Sequence, residues 1–331
     1  MSGLARQAQS AGESATSDVS VVIVSYNTRD LLDACLASID EPCAEIIVVD
    51  NGSSDGTVDL VHAHHVRCRL VEMGENTGFA RASNIGMRLA RGRYVLLLNS
   101  DTVVLEHAVS GMALFLDSHP QFALAGPLLL NGDGTIQTSC FAFTTVRDVL
   151  FEQLGLTALF PRSSFFNRRG LGGFDRASVR VVDWVSGACL MARRDVLEQV
   201  GLLDEGFFMY GEELDWCVRM KQAGLQVAFY PGARVVHYGS ASSRRTRGEL
   251  APRALAGRLR YFARYHGARA VLTVRLLTVA GMGLRLLTMP PRALFRPRMA
   301  RSYFEWYWGL LRAAIAYSGQ TAQKGQTGDS L

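Results

Sequence analysis

Tyr94-Val-Leu-Leu-Leu-Asn-Ser-Asp101 decides how this chain is read. A short Leu- or Val-rich run without polar interruption reads as a strand buried on both faces, the mark of a parallel sheet covered by helices. The run closes on an acid, and open α/β sheets bind ligands outside the carboxyl ends of their strands. The same grammar recurs upstream. Glu45-Ile-Ile-Val-Val-Asp50 is a second apolar run closed by an acid, and Val19-Ser-Val-Val-Ile-Val-Ser25 is a third, followed by Tyr26-Asn27. Further along, Gly211-Glu-Glu-Leu-Asp-Trp216 sets Glu212 and Glu213 at the opening of a helical pattern.

Between these marks the pattern alternates. Helical spacing of apolar residues predicts helices over 30–39, 57–64, 78–90 and 106–118, with a weak strand at 69–72 and another at 122–126. Asn51-Gly-Ser-Ser-Asp-Gly56 is a turn cluster, because Gly and Asn accept positive φ and Ser or Asp cap the next helix. Strand–helix alternation with short connections predicts an α/β fold, a mostly parallel central sheet with helices on both faces. Residues 141–180, aromatic and rich in Arg and Gly, read as a long loop or lid. Regular structure resumes at Val181, with a strand at 188–192, helices at 194–200 and 212–223, and strands at 226–230 and 234–238 around Pro231-Gly232.

The bulk composition is that of a folded protein: 331 residues, 48% hydrophobic and 20% charged. The net charge of +5 hides an asymmetry. Residues 1–243 carry 19 Lys and Arg against 27 Asp and Glu, a net of −8, whereas 244–301 hold 14 Arg and the single acid Glu249. Such a basic block faces an anionic partner or forms a solvated helical face. It contains Tyr261, Phe262 and Tyr265, with Phe304, Trp306, Tyr307 and Trp308 following, the composition of an interfacial amphipathic helix. No nucleic-acid motif accompanies the charge, so nucleic acid is not the expected partner. The stretch 270–289 is the nearest to a membrane span, but Arg275 and Arg285 break it. The six cysteines are scattered with no Cys-x-x-Cys and read as buried thiols in a reducing compartment. Residues 1–18 lack the apolar stretch of a secretory leader and are expected to be a disordered lead-in. The expected division is a lead-in over 1–18, a domain over 19–240 and a basic helical extension over 241–331.

There is neither a Gly-x-Gly-x-x-Gly nor a Walker loop, so phosphates would be met through a divalent cation held by carboxylates. Asn99-Ser100-Asp101 suits that role; equally, Asp101 caps a strand-to-helix turn. Asp50 suits a base N–H or a ribose hydroxyl, or else an Asx turn at Asn51-Gly52. Arg81 stands on the first turn of a helix, where an anion is favoured. His237 ends a strand, as a ligand or as a structural residue. Asp215 and Arg219 are spaced to pair along one helix.

In order, Ser25-Tyr-Asn27, Val49-Asp-Asn-Gly-Ser-Ser-Asp55, Asn76-Thr-Gly-Phe-Ala-Arg81, Leu98-Asn-Ser-Asp101, Ser186-Gly-Ala188, Tyr210-Gly-Glu-Glu213 and Val236-His237 closely resemble the family 2 glycosyltransferases of GT-A fold, and most of all their bacterial rhamnosyltransferase-like branch. The resemblance covers about residues 19–240. It implies an inverting transfer from a nucleotide-diphosphate sugar, with dTDP-rhamnose the first donor to test. Asp50 then binds the base with Tyr26 and Asn27 beside it, and Arg81, Asn99, Ser100 and Asp101 complete the donor side. Asp101 and His237 hold Mg²⁺ or Mn²⁺, although Asn99 replaces the first acid of the family's Asp-x-Asp. Glu213 takes the general-base position, where the family has Asp. Trp184, Ser186, Gly187 and Glu212 border the acceptor. The expected acceptor is a lipid-linked saccharide of cell-wall or surface polysaccharide, and the expected place is the cytoplasmic face of an anionic membrane. A homo-oligomer is compatible with the sequence. The competing readings are a sugar nucleotidyltransferase, disfavoured by Ser25-Tyr-Asn-Thr28 where a Gly-rich basic loop would stand, and a non-catalytic nucleotide-sugar-binding module.

Overall fold

The computed structural model describes residues 18–239, 247–287 and 297–316. The expected lead-in, save Asp18, lies outside the described residues. The chain forms two compact units: Met1–Phe141, Asp175–Asp204 and Glu213–Ser242 make the first, and Ala142–Phe174, Glu205–Glu212 and Ser243–Leu331 the second.

The first unit opens as the alternation predicts: β1 (Val19–Ser25), α1 (Arg29–Ser38), β2 (Glu45–Asp50), α2 (Thr57–His64), β3 (Cys68–Glu72), α3 (Phe79–Leu89), β4 (Tyr94–Asn99), β5 (Thr102–Val104), α4 (Ala108–Ser118), β6 (Phe122–Leu130), β7 (Ile136–Gln137) and β8 (Cys140–Phe141). It resumes after the second unit's first segment with β9 (Arg180–Val182), β10 (Trp184–Val185), β11 (Cys189–Arg193) and α7 (Arg194–Val200). Helix α8 (Glu212–Gln222) and β12 (Gln226–His237) come next, with Glu212 assigned to the second unit.

The central sheet runs β3-β2-β1-β4-β11-β6-β12-β5, with β7 on β6 and β9 on β12. Strands β1–β4, β6 and β12 share one direction, because β11 is antiparallel to both β4 and β6. Period-2 alternation sorts the core. Val21 and Ile23 join Leu32, Cys35 and Leu36 of α1 and Val109, Met112 and Leu116 of α4 in one cluster. On the other face, a Cβ at Gly86 of α3 would collide with Val22 and touch Val49, so this helix lies directly on the strands. Burial on both faces is why β1, β2 and β4 read as unbroken apolar runs.

Two expectations need correction here. The strands placed on either side of Pro231-Gly232 are one strand, β12, whose register shifts between Tyr230 and Arg234. A bulge accommodates a proline that regular pairing would exclude. The 141–180 stretch is not all loop. It contains α5 (Val146–Gln153), opened by a capping box in which Thr145 and Asp148 satisfy each other's backbone N–H, and the short α6 (Leu156–Leu159). The signal was Thr145-x-x-Asp148, a capping pattern with Asp in place of the usual Glu or Gln.

The second unit adds α9 (Arg247–Tyr265), α10 (Gly267–Leu287) and α11 (Pro297–Ala316), which pack on one another, while α10 also packs on α5. A Cβ at Gly281 of α10 would collide with Gln153 of α5. Arg258 grips both oxygens of Glu152 at 3.1 and 3.2 Å, and Arg285 donates to Gln153 Oε1 at 2.8 Å and to the Glu152 carbonyl at 2.6 Å. Arg275 donates to the Ala314 carbonyl at 3.1 Å. The two arginines expected to break an apolar span therefore bond to protein, and α10 is by length and composition long and apolar enough to cross a membrane.

Candidate active site

The strand order reverses between β1 and β4, and open α/β sheets bind ligands outside the carboxyl ends at such a switch point. The register brings most of the sequence-marked residues to this one edge. Ser25 pairs with Asp50, Val24 with Asn99, Leu98 with Cys189 just after Ser186-Gly187-Ala188, and Thr102 with His237. The walls are pinned by hydroxyls: Ser25 Oγ lies 3.0 Å from Thr28 Oγ1, which lies 2.8 Å from Ser100 Oγ. Ser100 thus ties the end of β4 to the loop after β1. The Asn99 carbonyl accepts from Thr102 Oγ1 at 2.7 Å, closing the turn that presents Asp101.

Asp50 is 2% exposed. Its Oδ2 accepts from the backbone N–H groups of Gly52 and Ser53 at 3.2 and 2.9 Å. Its Oδ1 is buried and has no hydrogen-bond partner among the described residues. The turn that grips Asp50 allows no side chain at Gly52, whose φ is +82° and whose Cβ would stand 2.7 Å from the Glu75 backbone. Asn51 links the same turn to the entry of α3, accepting from Thr77 N at 2.9 Å and donating to Asn76 Oδ1 at 3.1 Å. Asn27, at φ +52°, accepts from Ser54 N at 2.8 Å and donates through its own N–H to Ser53 Oγ at 3.0 Å. Its side chain therefore braces two loops. Tyr26 beside it is 41% exposed, and Arg81 on the first turn of α3 is exposed.

Asp101 and His237 meet: Nε2 of His237 is 3.2 Å from Asp101 Oδ1. The Tyr238 N–H also donates to the Asp101 carbonyl at 3.0 Å, locking the end of β12 against the β4 turn. Nδ1 of His237 contacts Gln137 Oε1 at 2.7 Å. Among the described residues no group of three or more His, Cys, Asp or Glu side chains could enclose a metal. A carboxylate and an imidazole nitrogen 3.2 Å apart nevertheless match two adjacent ligands of an octahedral cation, which at bond lengths of ~2.1 Å stand ~3 Å apart. Substrate oxygens and water would fill the remaining positions, as is usual for Mg²⁺ beside phosphates.

A Cβ at Gly187 would lie 3.7 Å from Cδ of Glu213, an ordinary contact, so the glycine turn lies directly beside this carboxyl. Ser186 Oγ accepts from Ala188 N at 3.3 Å and shapes the same turn. Trp184 is buried at 7% exposure and stacks on Phe141 with centroids 4.2 Å apart. Glu212 is buried. Two residues after Glu213, Asp215, fully buried, pairs with Arg219 at 2.9 Å, the pairing its spacing predicts. Arg219 also donates to the Val200 and Leu202 carbonyls, each at 2.7 Å. The cysteines are free thiols, and burial pushes Cys35 and Cys217 up to about 12, which leaves them inert.

The model of the family described as "Glycosyl transferase family 2" matches residues 20–201. The chain belongs to that family. As a family 2 transferase it is similar to the N-acetylglucosaminyl-diphospho-decaprenol L-rhamnosyltransferase of Mycobacterium tuberculosis, at 29% identity over 68% of this chain and 77% of that one. It is also similar to the rhamnosyltransferase WbbL of Escherichia coli, at 25% identity over 68% and 85%. Among solved structures, a mannosyltransferase from Pyrobaculum calidifontis in complex with GDP-mannose and Mn²⁺ superposes with a TM-score of 0.51 at 19% identity, over 90% of this chain and 86% of that one. GalNAc-T7, solved with UDP, GalNAc and Mn²⁺, also gives 0.51 at 18% identity, over 66% of this chain but only 42% of its own length. These likenesses establish the GT-A fold that the sequence resemblance implied.

Gln137 was missed by sequence reasoning. It lies on a two-residue strand with no motif around it, and its place beside His237 depends on the pairing of β7 with β6.

Proposed function

We propose that this family 2 transferase moves a sugar, rhamnose first among those to test, from a nucleoside-diphosphate donor to a hydroxyl of a lipid-linked saccharide, with inversion at the anomeric carbon. The observation that carries the donor reading is Asp50 Oδ1, a buried acceptor that meets no donor among the described residues, at the switch point of the sheet. Such an atom is costly to leave unmet, and an N–H from a nucleobase would meet it. Tyr26 flanks that position, and the exposed Arg81 stands at a helix start that favours phosphate.

Asp101 and His237 would hold a divalent cation, with Asn99 adding a neutral amide beside them. That cation would supply charge neutralisation to the departing diphosphate. Glu213 then removes the proton of the acceptor hydroxyl as its oxygen attacks the anomeric carbon, on the face opposite the leaving group. One displacement with one base gives inversion. Gly187 lies directly beside Glu213, and Ser186, Trp184 and Glu212 would border the acceptor there.

A membrane-surface acceptor accords with the second unit. Leu272, Leu276, Leu284 and Leu287 of α10 and Phe304 and Trp308 of α11 are exposed, in a segment where arginine far outnumbers acid. Apolar side chains with adjacent arginines suit an anionic headgroup layer. One relative is named for a diphospho-decaprenol acceptor.

The test is a thermal-shift screen of UDP-, GDP- and dTDP-sugars with and without Mn²⁺, followed by product analysis with a prenyl-diphosphate saccharide. A ligand present at about 100 times its Kd adds roughly 2.7 kcal/mol of apparent stability. A single donor class should raise the melting temperature and yield an inverted glycoside. Stabilisation without transfer to any acceptor would instead favour a non-catalytic sugar-nucleotide-binding module.

A further inference from the structure

Histidine tautomers and amide orientations are normally ambiguous, but a chain of bonds that begins on an acceptor-only group fixes each polarity in turn. Such a chain runs from the surface turn after β6 to His237. Asp133 Oδ1 accepts from Thr135 Oγ1 at 2.6 Å, which uses the only hydroxyl hydrogen of Thr135. Thr135 Oγ1 must therefore accept from Asn131, whose Nδ2 lies 2.9 Å away. That sets the Asn131 amide, so its Oδ1 accepts from Gln137 Nε2 at 2.9 Å. The second Nε2 hydrogen of Gln137 goes to the His237 carbonyl at 3.3 Å. Gln137 Oε1 is thereby aimed at His237 Nδ1, 2.7 Å away. An amide oxygen only accepts, so Nδ1 carries a hydrogen. Nε2, 3.2 Å from Asp101 Oδ1, is the ring atom left to a ligand.

We propose that Gln137 is a positioning residue that holds His237 in the Nδ1–H tautomer, presenting the Nε2 lone pair beside Asp101 for a divalent cation. The proposal rests on the reading of Asp101 and His237 as the cation-holding pair. Nε2 and Asp101 Oδ1, 3.2 Å apart, are close enough to share one cation. A partner on the far ring nitrogen is the usual way in which a ligating histidine is oriented and made a better donor. The backing residues Asn131, Thr135 and Asp133 lie in one turn, where Gly134, at φ +80°, makes the reversal that brings Thr135 back to Asn131. The turn is thus coupled to His237 through the side chain of Gln137.

The test uses the full chain and four variants: Gln137→Met, Gln137→Glu, His237→Ala, and Gln137→Met combined with His237→Ala. Mn²⁺ affinity is read by paramagnetic resonance in the presence of a nucleoside diphosphate, and melting temperatures confirm folding. Gln137→Met should weaken Mn²⁺ by ~10–100-fold, the range for lost outer-shell partners. Gln137→Glu keeps an acceptor for Nδ1 but loses the hydrogens given to Asn131 and the His237 carbonyl, so its affinity should lie between those of the wild type and Gln137→Met. In the His237→Ala background, Gln137→Met should change nothing further. An equal loss in both backgrounds would overturn the proposal, because Gln137 would then act through the fold and not through the ring. Nitrogen-15 spectra of histidine-labelled protein, with His237 assigned from the alanine variant, should show Nδ1 protonated in the wild type; a neutral ring protonated at Nε2 would equally overturn it. If His237→Ala leaves Mn²⁺ affinity unchanged, the cation reading fails by itself, and the spectrum alone then decides between the two tautomers.

Discussion

One oxygen of Asp50 holds the turn 50–53 together and the other waits, buried, for a donor. Asp50→Asn should separate these duties. The amide oxygen can still accept from Gly52 and Ser53, but an NH₂ then stands where the free acceptor was and opposes an incoming N–H. Donor binding is expected to weaken at least ~10-fold, read by calorimetry, with the melting temperature of the free protein little changed. For the proposed base, Glu213→Gln should lower kcat by ~10²–10⁴-fold while leaving donor affinity in place, read by steady-state assay beside calorimetry. A variant with near-normal kcat would remove Glu213 from the base position. Asp50 and Asp101 could be singled out in the sequence because an acid at the end of an apolar run stands out by contrast. That Asp101 meets His237 came only through the family resemblance, since the residues themselves do not reveal that β12 pairs with β5 across a bulged strand. Asn27 carries a duty its residue type did not announce, since its Oδ1 and its N–H brace Ser54 and Ser53.

At the scale of elements, α3 and α5 test how tightly the fold is specified. Gly86 lets α3 lie against Val22 and Val49, and Gly86→Ala should cost about 1–3 kcal/mol through overpacking, although alanine is the better helix former. Chemical denaturation would show it; a stabilised variant would mean that the helix can move outward freely. Helix α5 carries a pH signature. Burial pushes the Asp148 carboxyl up, but the 2.6 Å bond from Arg168 and the bonds from Thr145 outweigh it and hold the group below its ordinary range. The folded chain therefore binds this proton less tightly than the unfolded chain does. The stabilisation is whole above an unfolded value of about 3.9 and is lost as pH falls through the lower folded value. Asp148→Asn should lower the melting temperature at neutral pH and flatten its decline below about pH 4. This helix hid in the sequence because aromatic and Arg-Gly-rich surroundings mask its short periodicity. The strands of the sheet were plain because burial on both faces writes itself as unbroken hydrophobicity.

For the whole molecule, the charge asymmetry and the exposed leucines and aromatics of α10 and α11 predict reversible attachment to anionic bilayers. The full chain should float with phosphatidylglycerol vesicles and not with neutral ones, and added salt should release it. Leu276→Ser combined with Trp308→Ser should reduce flotation, whereas persistence at high salt would indicate insertion of α10 in place of surface binding. The second unit also has a consequence in time. Its first segment, ending at Phe174, is synthesised some 70 residues before α9 begins, an interval of ~4–15 s at ribosomal rates of 5–20 residues per second. Over that interval α5 has no α10 to pack on, and Glu152 has neither Arg258 nor Arg285. A chain shortened at residue 240 would remain in that state for good, a nascent intermediate with a hydrophobic helix that chaperones, or other copies of itself, would bind.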